Sequence, residues 1–203
     1  MPNDSSTAGY LAPAPSPAPL EGQALNRFLQ QWIVGITGLA GNLVRPRWQA
    51  EPPVIPDAAT AWCAIGVIER ASDTYPYILH DATGLGSDTI RRHELLTIMA
   101  SFFDTGVSGQ ADSFAEIFRE GAMIPQNLEA LTQADMGIVE TGEATAVPSL
   151  LKERWLYQVD IRVVIRREIV RSYPVLNLLS SQGTLVTDAT PPTPTFNIGV
   201  PHP

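Results

Sequence analysis

The chain has 203 residues, 44% of them hydrophobic, which suits one domain of ordinary size with a sizeable core. A net charge of −8 and a pI near 4.8 exclude general affinity for nucleic-acid phosphates, and the single cysteine excludes an internal disulfide or a thiolate metal cluster. No apolar run approaches the roughly 18 to 20 residues that span a bilayer, and the N-terminus has neither the basic region nor the apolar segment of a signal peptide.

Residues 1–20, MPNDSSTAGYLAPAPSPAPL, hold five prolines, which forbid a helix and a packed core; they read as a disordered or extended arm. From Glu21 to Gly38, Leu25, Phe28, Leu29, Trp32, Ile33 and Ile36 fall on one face of an α-helix, and Gly38 and Gly41 end it. LVRPRWQAEPPVIP follows as an extended, proline-broken connection with little regular hydrogen bonding. TAWCAIGVIERA reads as a strand in which Cys63 acts as a small buried hydrophobe. YPYILHD reads as a second strand, and DATGLGSDT as a turn.

IRRHELLTIMASFFD fits either a helix, by spacing, or a long buried strand. A helix is predicted over Ser108–Gly121, with Ser108 as its N-cap and Gly121 as its stop, then a short helix begun by Pro125 with Leu128 and Leu131 inward. MGIVETGEAT reads as a short strand and turn. In KERWLYQVDIRVVIRREIVRSYP, residues 152–174, Val159, Ile161, Val163, Ile165 and Ile169 alternate with Asp160, Arg162, Arg166 and Glu168. That is period two over at least ten residues, a long strand with one wet face. NLLSSQGTLVTD supplies a hairpin or a helical turn. Residues 188–203 hold five more prolines and read as an extended tail. Its Phe196 and Ile198 are apolar anchors, either left in solvent or ordered on a neighbouring subunit.

The order helix, strands, helices, strand predicts an α+β domain over residues 21–187: a mainly antiparallel sheet with helices packed on one side, between an arm (1–20) and a tail (188–203). Motifs of catalysis are absent from it. His93 in HELLT has no second histidine four residues on, and His80 and His202 have no ligand partners at useful spacing. GVSGQ is not a nucleophile elbow, and TGLGSD is neither a dinucleotide fingerprint nor a phosphate loop. Glu140 and Glu143 read as solvated carboxylates. The expectation is no enzyme, no cofactor and no metal.

AWCAIGV, HELLTIMASFFDTGVSGQADSFAEIFREGAMIPQNLEAL and KERWLYQVDIRVVIRREIVRSYPVLNL together resemble the neck or tail-terminator proteins of tailed bacteriophages, from about Trp48 to Ile165 and beyond. The resemblance implies an α/β subunit whose sheet joins those of neighbours in a ring, commonly of six, which makes RRHELLTIMASFF a strand. It also implies a virion protein of the neck, assembled in the host cytoplasm. Such a ring caps the tail tube, meets the tail tube protein and any sheath, and presents a surface to the head-completion or connector protein. Viral DNA would pass through the lumen without sequence-specific binding, and acidic walls would keep it from sticking. Two other readings stand beside this one: a small hydrolase or ligand-binding α+β module with an unrecognised site, and a head-tail connector of different ring symmetry.

Residues 152–174 carry about +3, and the rest of the chain about −11. A solvated sheet face would account for this. So would an intersubunit surface in which Arg162, Arg166, Arg167, Glu168 and Arg171 meet charges of the next subunit or ring, because each ring subunit must carry both halves of its contact.

Overall fold

The computed structural model describes residues 3–49, 51, 54–56, 60–105, 108–151, 154–184 and 195–199. By compactness the chain divides into two units, one of residues 17–76 and 91–169 and one of 1–16, 77–90 and 170–203. The larger unit holds the core. The apolar stripe of residues 21–38 becomes helix α1 (Gly22–Thr37), which buries Leu25, Leu29, Trp32 and Ile33 and stops at Gly38, φ +72°. Strand β1 (Val44–Pro46) pairs in parallel with β2 (Trp62–Ser72), so the connection after α1 is more regular than its prolines suggest. Pro46 is tolerated because β1 is an edge strand and ends there. Pro52 and Pro53 lie outside the described residues.

Strand β4 (Ser87–Asp104) runs antiparallel to β2, so HELLTIMASFFD is a strand, and β3 (Tyr77–Asp81) pairs with β4. Helices α2 (Gln110–Gly121) and α3 (Pro125–Gln133, proline in the first turn) follow. The expected Ser108 cap is not made. Gly109 occupies the N-cap, and the buried Asp104 carboxylate accepts the Ala111 N–H and the Ser108 hydroxyl, both at 3.0 Å. Nor does Gly121 stop α2 by leaving the helical region. It lies inside the helix where a Cβ would come within 2.5 Å of Ile36 Cγ2, so its role is the close approach of α1 to α2.

The short strand and turn expected over residues 136–145 are two strands, β5 (Met136–Thr141) and β6 (Thr145–Leu151), both antiparallel to β7 (Arg154–Tyr173). Gly142 N–H donates to Arg162 O at 2.7 Å between them, so β5 and β6 make one kinked edge along β7. The sheet order is β1-β2-β4-β7-β5, seven strands with β3 and β6, mostly antiparallel. Alternate residues of three strands, among them Cys63 and Ile65, Ile98 and Phe102, Ile161 and Ile165, meet the helices in one core. Burial pushes the Cys63 thiol pKa well up, as befits a packing residue.

In the smaller unit, residues 3–16 form no helix or strand, as their prolines demand, and Ser5 and Ala14 N–H donate to Pro174 O and Ser172 O. Strands β8 (Ser180–Thr184) and β9 (Thr195–Gly199) pair as an antiparallel hairpin, so Phe196 and Ile198 stand in a strand paired within the chain. Residues 188–194 and 200–203, with His202, lie outside the described residues. His80 is clasped from both sides: Nδ1 is 2.5 Å from Asp88 Oδ1 and Nε2 is 2.7 Å from Asn177 Oδ1. The Asn177 amide nitrogen donates to Ala82 O and Gly84 O, which turns its oxygen to the ring. Both ring nitrogens face acceptors, which favours the doubly protonated ring.

Two expectations follow. Trp32 packs edge-on to Phe118, centroids 5.2 Å apart, and its indole N–H donates to Asn127 O, so Trp32→Ala should cost about 3 to 5 kcal/mol in chemical denaturation. The hydrogen bonds to Asp88 and Asn177 raise the His80 pKa above its ordinary 6.5. A raised pKa stabilises the protonated fold, so the clasp is at full strength below about pH 6.5 and weakens as pH climbs through the higher folded value. An NMR titration of His80, with the protection of the Asn177 amide corrected for its intrinsic exchange rate, should show both changes together.

Candidate functional site

The alternation of β7 separates two surfaces. Ile161, Val163 and Ile165 are buried, and between and beyond them Arg162 and Arg166 are exposed. Arg166 pairs across the ladder with Gly137, which has no side chain to cover it. Among the described residues neither guanidinium makes a hydrogen bond or ion pair. Glu168, half-buried on the same face, lies 3.6 Å from Arg91 Nη1. Arg166 borders a shallow cavity of about 380 Å³ with Asp73, His93, Leu95 and Val139. The His93 N–H donates to Asp73 Oδ2 at 3.0 Å, which with lesser help from the charges of His93 and Arg166 holds the Asp73 carboxyl below its usual range. Arg171, in the smaller unit, is exposed.

Arg167 is placed differently from the other four residues. Its side chain is 2% exposed and lies on the core side between Ile165 and Ile169. Nε donates to Glu94 Oε2 at 2.6 Å, Nη2 to Glu21 Oε1 at 2.6 Å and Nη1 to Leu20 O at 2.6 Å. Its partners belong to its own chain. Position 167 has the parity of 163, 165 and 169, so the alternation itself carried the signal of its burial.

Sequence reading missed a second polar cluster, on the opposite face of the sheet. Arg47 donates to the buried Ser101 hydroxyl, which donates to Asp160, and Gln158 Nε2 donates to Asp160 Oδ1 at 2.7 Å. A Cβ at Gly66 would lie 3.0 Å from the Trp48 ring and 3.1 Å from Arg47 Cβ, so the glycine lets residues 47 and 48 cross over β2. Only Asp160 was visible beforehand, as a polar position of β7.

Among the described residues no group of three or more His, Cys, Asp or Glu side chains is placed to hold a metal ion, and no helix is long and apolar enough to cross a membrane. What the larger unit offers is a mainly antiparallel sheet with helices on one face and unpaired arginines on the other. The chain belongs to the phage neck terminator protein family, whose model matches residues 23–189. It is therefore a structural protein of the phage neck, and its place is the virion. No curated protein matches it.

The two kinds of arginine should separate on mutation. Arg167→Ala leaves the buried Glu94 carboxylate without its partner and should cost about 3 to 5 kcal/mol. Arg162→Ala and Arg166→Ala should each stay within about 0.5 kcal/mol of wild type. Urea denaturation of the three variants measures the difference.

Proposed function

We propose that this neck protein acts as a ring, commonly of six subunits, that caps the tail tube and joins the tail to the head-completion or connector protein. The observation that carries the reading is the exposed side of β7, where Arg162 and Arg166 stand without an ion partner among the described residues of an acidic chain. Arginines in that position suit carboxylates of a neighbouring subunit or ring, and such complementarity fixes register and partner choice. Glu168, on the same face, shares this role, and the exposed Arg171 of the smaller unit would make a contact of its own. Arg167 serves the fold and not the contact, since its donors are engaged in its own chain. The net charge of −8 suits a lumen through which DNA slides without adhering. Assembly takes place in the host cytoplasm.

Reversing both exposed arginines, Arg162→Glu with Arg166→Glu, should leave the subunit folded, because period-two geometry keeps Ile161, Val163 and Ile165 inside. Assembly should fail. Each interfacial charge pair broken costs about 2 to 5 kcal/mol, and a symmetric ring repeats the loss at every boundary. Wild-type rings should weaken with salt. Sedimentation of both proteins at low and high salt, with circular dichroism as the folding control, decides it; a double variant that sediments as a wild-type ring would show that this face is merely solvated.

A further inference from the structure

The sheet order places β1 at one end and β5 at the other, and α1 packs by β1 while α3 packs by β5. Each end of the larger unit bears a surface that the fold does not use. Beside β1, an open groove of about 900 Å³ runs between the first turns of α1 and residues 41–49 with Glu51. Its charged lining is Arg27, Arg45 and Arg47 against the single carboxylate of Glu51, the reverse of the chain as a whole. Arg45 donates to Asn42 O and Val54 O and Arg47 to Ser101, which leaves Arg27 as the lining cation without a partner among the described residues. Trp48 also borders it, 72% exposed and at φ +54°, a left-handed conformation unfavourable to any residue with a Cβ. Strain spent on holding a large aromatic ring in the open contributes nothing to the core, and such strain gathers where a contact is made.

Near β5 the corner between α2 and α3 has the opposite character. Ile117, Met123 and Ile124 are 42%, 57% and 51% exposed, close together in sequence around the exposed Glu120. The Thr141 hydroxyl at the end of β5 lies 3.5 Å from Met123 Sδ, which fixes this corner at that edge. Among the described residues, neither Arg27 nor Glu120 forms a hydrogen bond or ion pair through its side chain. Loose surface apolar residues are ordinary, but three together beside an acid form a small knob.

We infer that the groove at the β1 edge of one copy receives the α2–α3 knob of the next, with Trp48 packing on Met123 and Ile124 and Arg27 facing Glu120. The inference rests on the ring reading and supplies it with a lateral contact. A second copy is the occupant the surfaces favour, because the two are complementary in charge, both contain apolar side chains, and they sit at opposite edges of one unit. Two unlike surfaces at opposite edges make a heterologous, head-to-tail contact, the kind that closes into a ring; groove against groove would set arginine against arginine.

The test uses the full chain. In the double variant Trp48→Cys with Met123→Cys, a bifunctional maleimide should give a covalent ladder that ends at the ring number, while each single variant gives none; the natural Cys63 is buried and stays unlabelled. Trp48→Gly should keep or raise the thermal midpoint, since glycine accepts φ +54°, and yet lose the ring. Arg27→Glu and Glu120→Lys should each weaken association by about tenfold, and their combination should restore it. Rings that form normally in Trp48→Gly, or a double cysteine variant that sediments as a ring yet gives no ladder, would overturn the contact and leave the ring intact. A wild-type chain that stays monomeric at every concentration would instead overturn the ring reading, and the contact with it.

Discussion

A guanidinium buried among aliphatic side chains sets the terms for the larger unit. Arg167 sits on the core side of β7, where an unpaired charge would cost several kcal/mol in lost hydration. The cost is met only if Glu94 of β4, the Leu20 carbonyl and Glu21 at the head of α1 all arrive at once. Glu21 in turn holds Arg70 of β2 at 2.8 Å, so four charges in a row tie β7, β4, β2 and the start of α1 together. The buried apolar face already opposes a slip of register, and this network adds a charge penalty to it. A shift of β7 by one residue would carry Arg167 to solvent and leave Glu94 alone in the core.

The same strand that makes this demand also presents the exposed arginines. Period two gives β7 no freedom to mix its roles: residues of one parity build the core, and those of the other face outward. Arg162 and Arg166 are therefore held on a strand backed by Ile161, Val163 and Ile165, and among the described residues neither makes an ion pair, although the charge of Arg166 is felt by Asp73. In the proposed ring this arrangement would have a use. Contacts made by side chains on a long strand keep their spacing, and repeated contacts between identical subunits need that constancy more than they need strength.

Residues 47 and 48 show how much a single glycine can settle. Gly66 opens β2 to the crossing of Arg47 and Trp48, Arg47 joins the Ser101 and Asp160 cluster on the far face, and Trp48 is left in the open at a left-handed φ. The Arg47 Nε is buried there with no acceptor among the described residues. The connection after α1 is thus a structured piece of surface, pinned at Arg47 N–H to Ile65 O at 2.7 Å, and the proline content that made it look like a plain link conceals this.

The sequence by itself determined the elements whose signal is local. The apolar stripe of α1, the proline that begins α3 and the alternation along β7 each reflect a repeat that the backbone geometry reads without help. Even the burial of Arg167 was implied by its parity, though a charged residue in an otherwise wet-looking run invites the opposite reading. Distance in sequence hid the rest. Asp104 caps α2 from seven residues away, Gly121 is required by Ile36 on another helix, and Glu94 and Glu21 reach Arg167 across 73 and 146 positions. Whether 90–104 is helix or strand could not follow from spacing that fits both, because the decision lies in the ladder with β2. Period and turn chemistry are properties of neighbouring residues, while the pairing of charges and the closeness of two helices exist only once the chain has come together. Parity alone assigns Arg167 to the core side, but only the tertiary structure brings Glu94 and Glu21 to it, because carboxylates so far away in sequence meet the guanidinium only after the chain has folded.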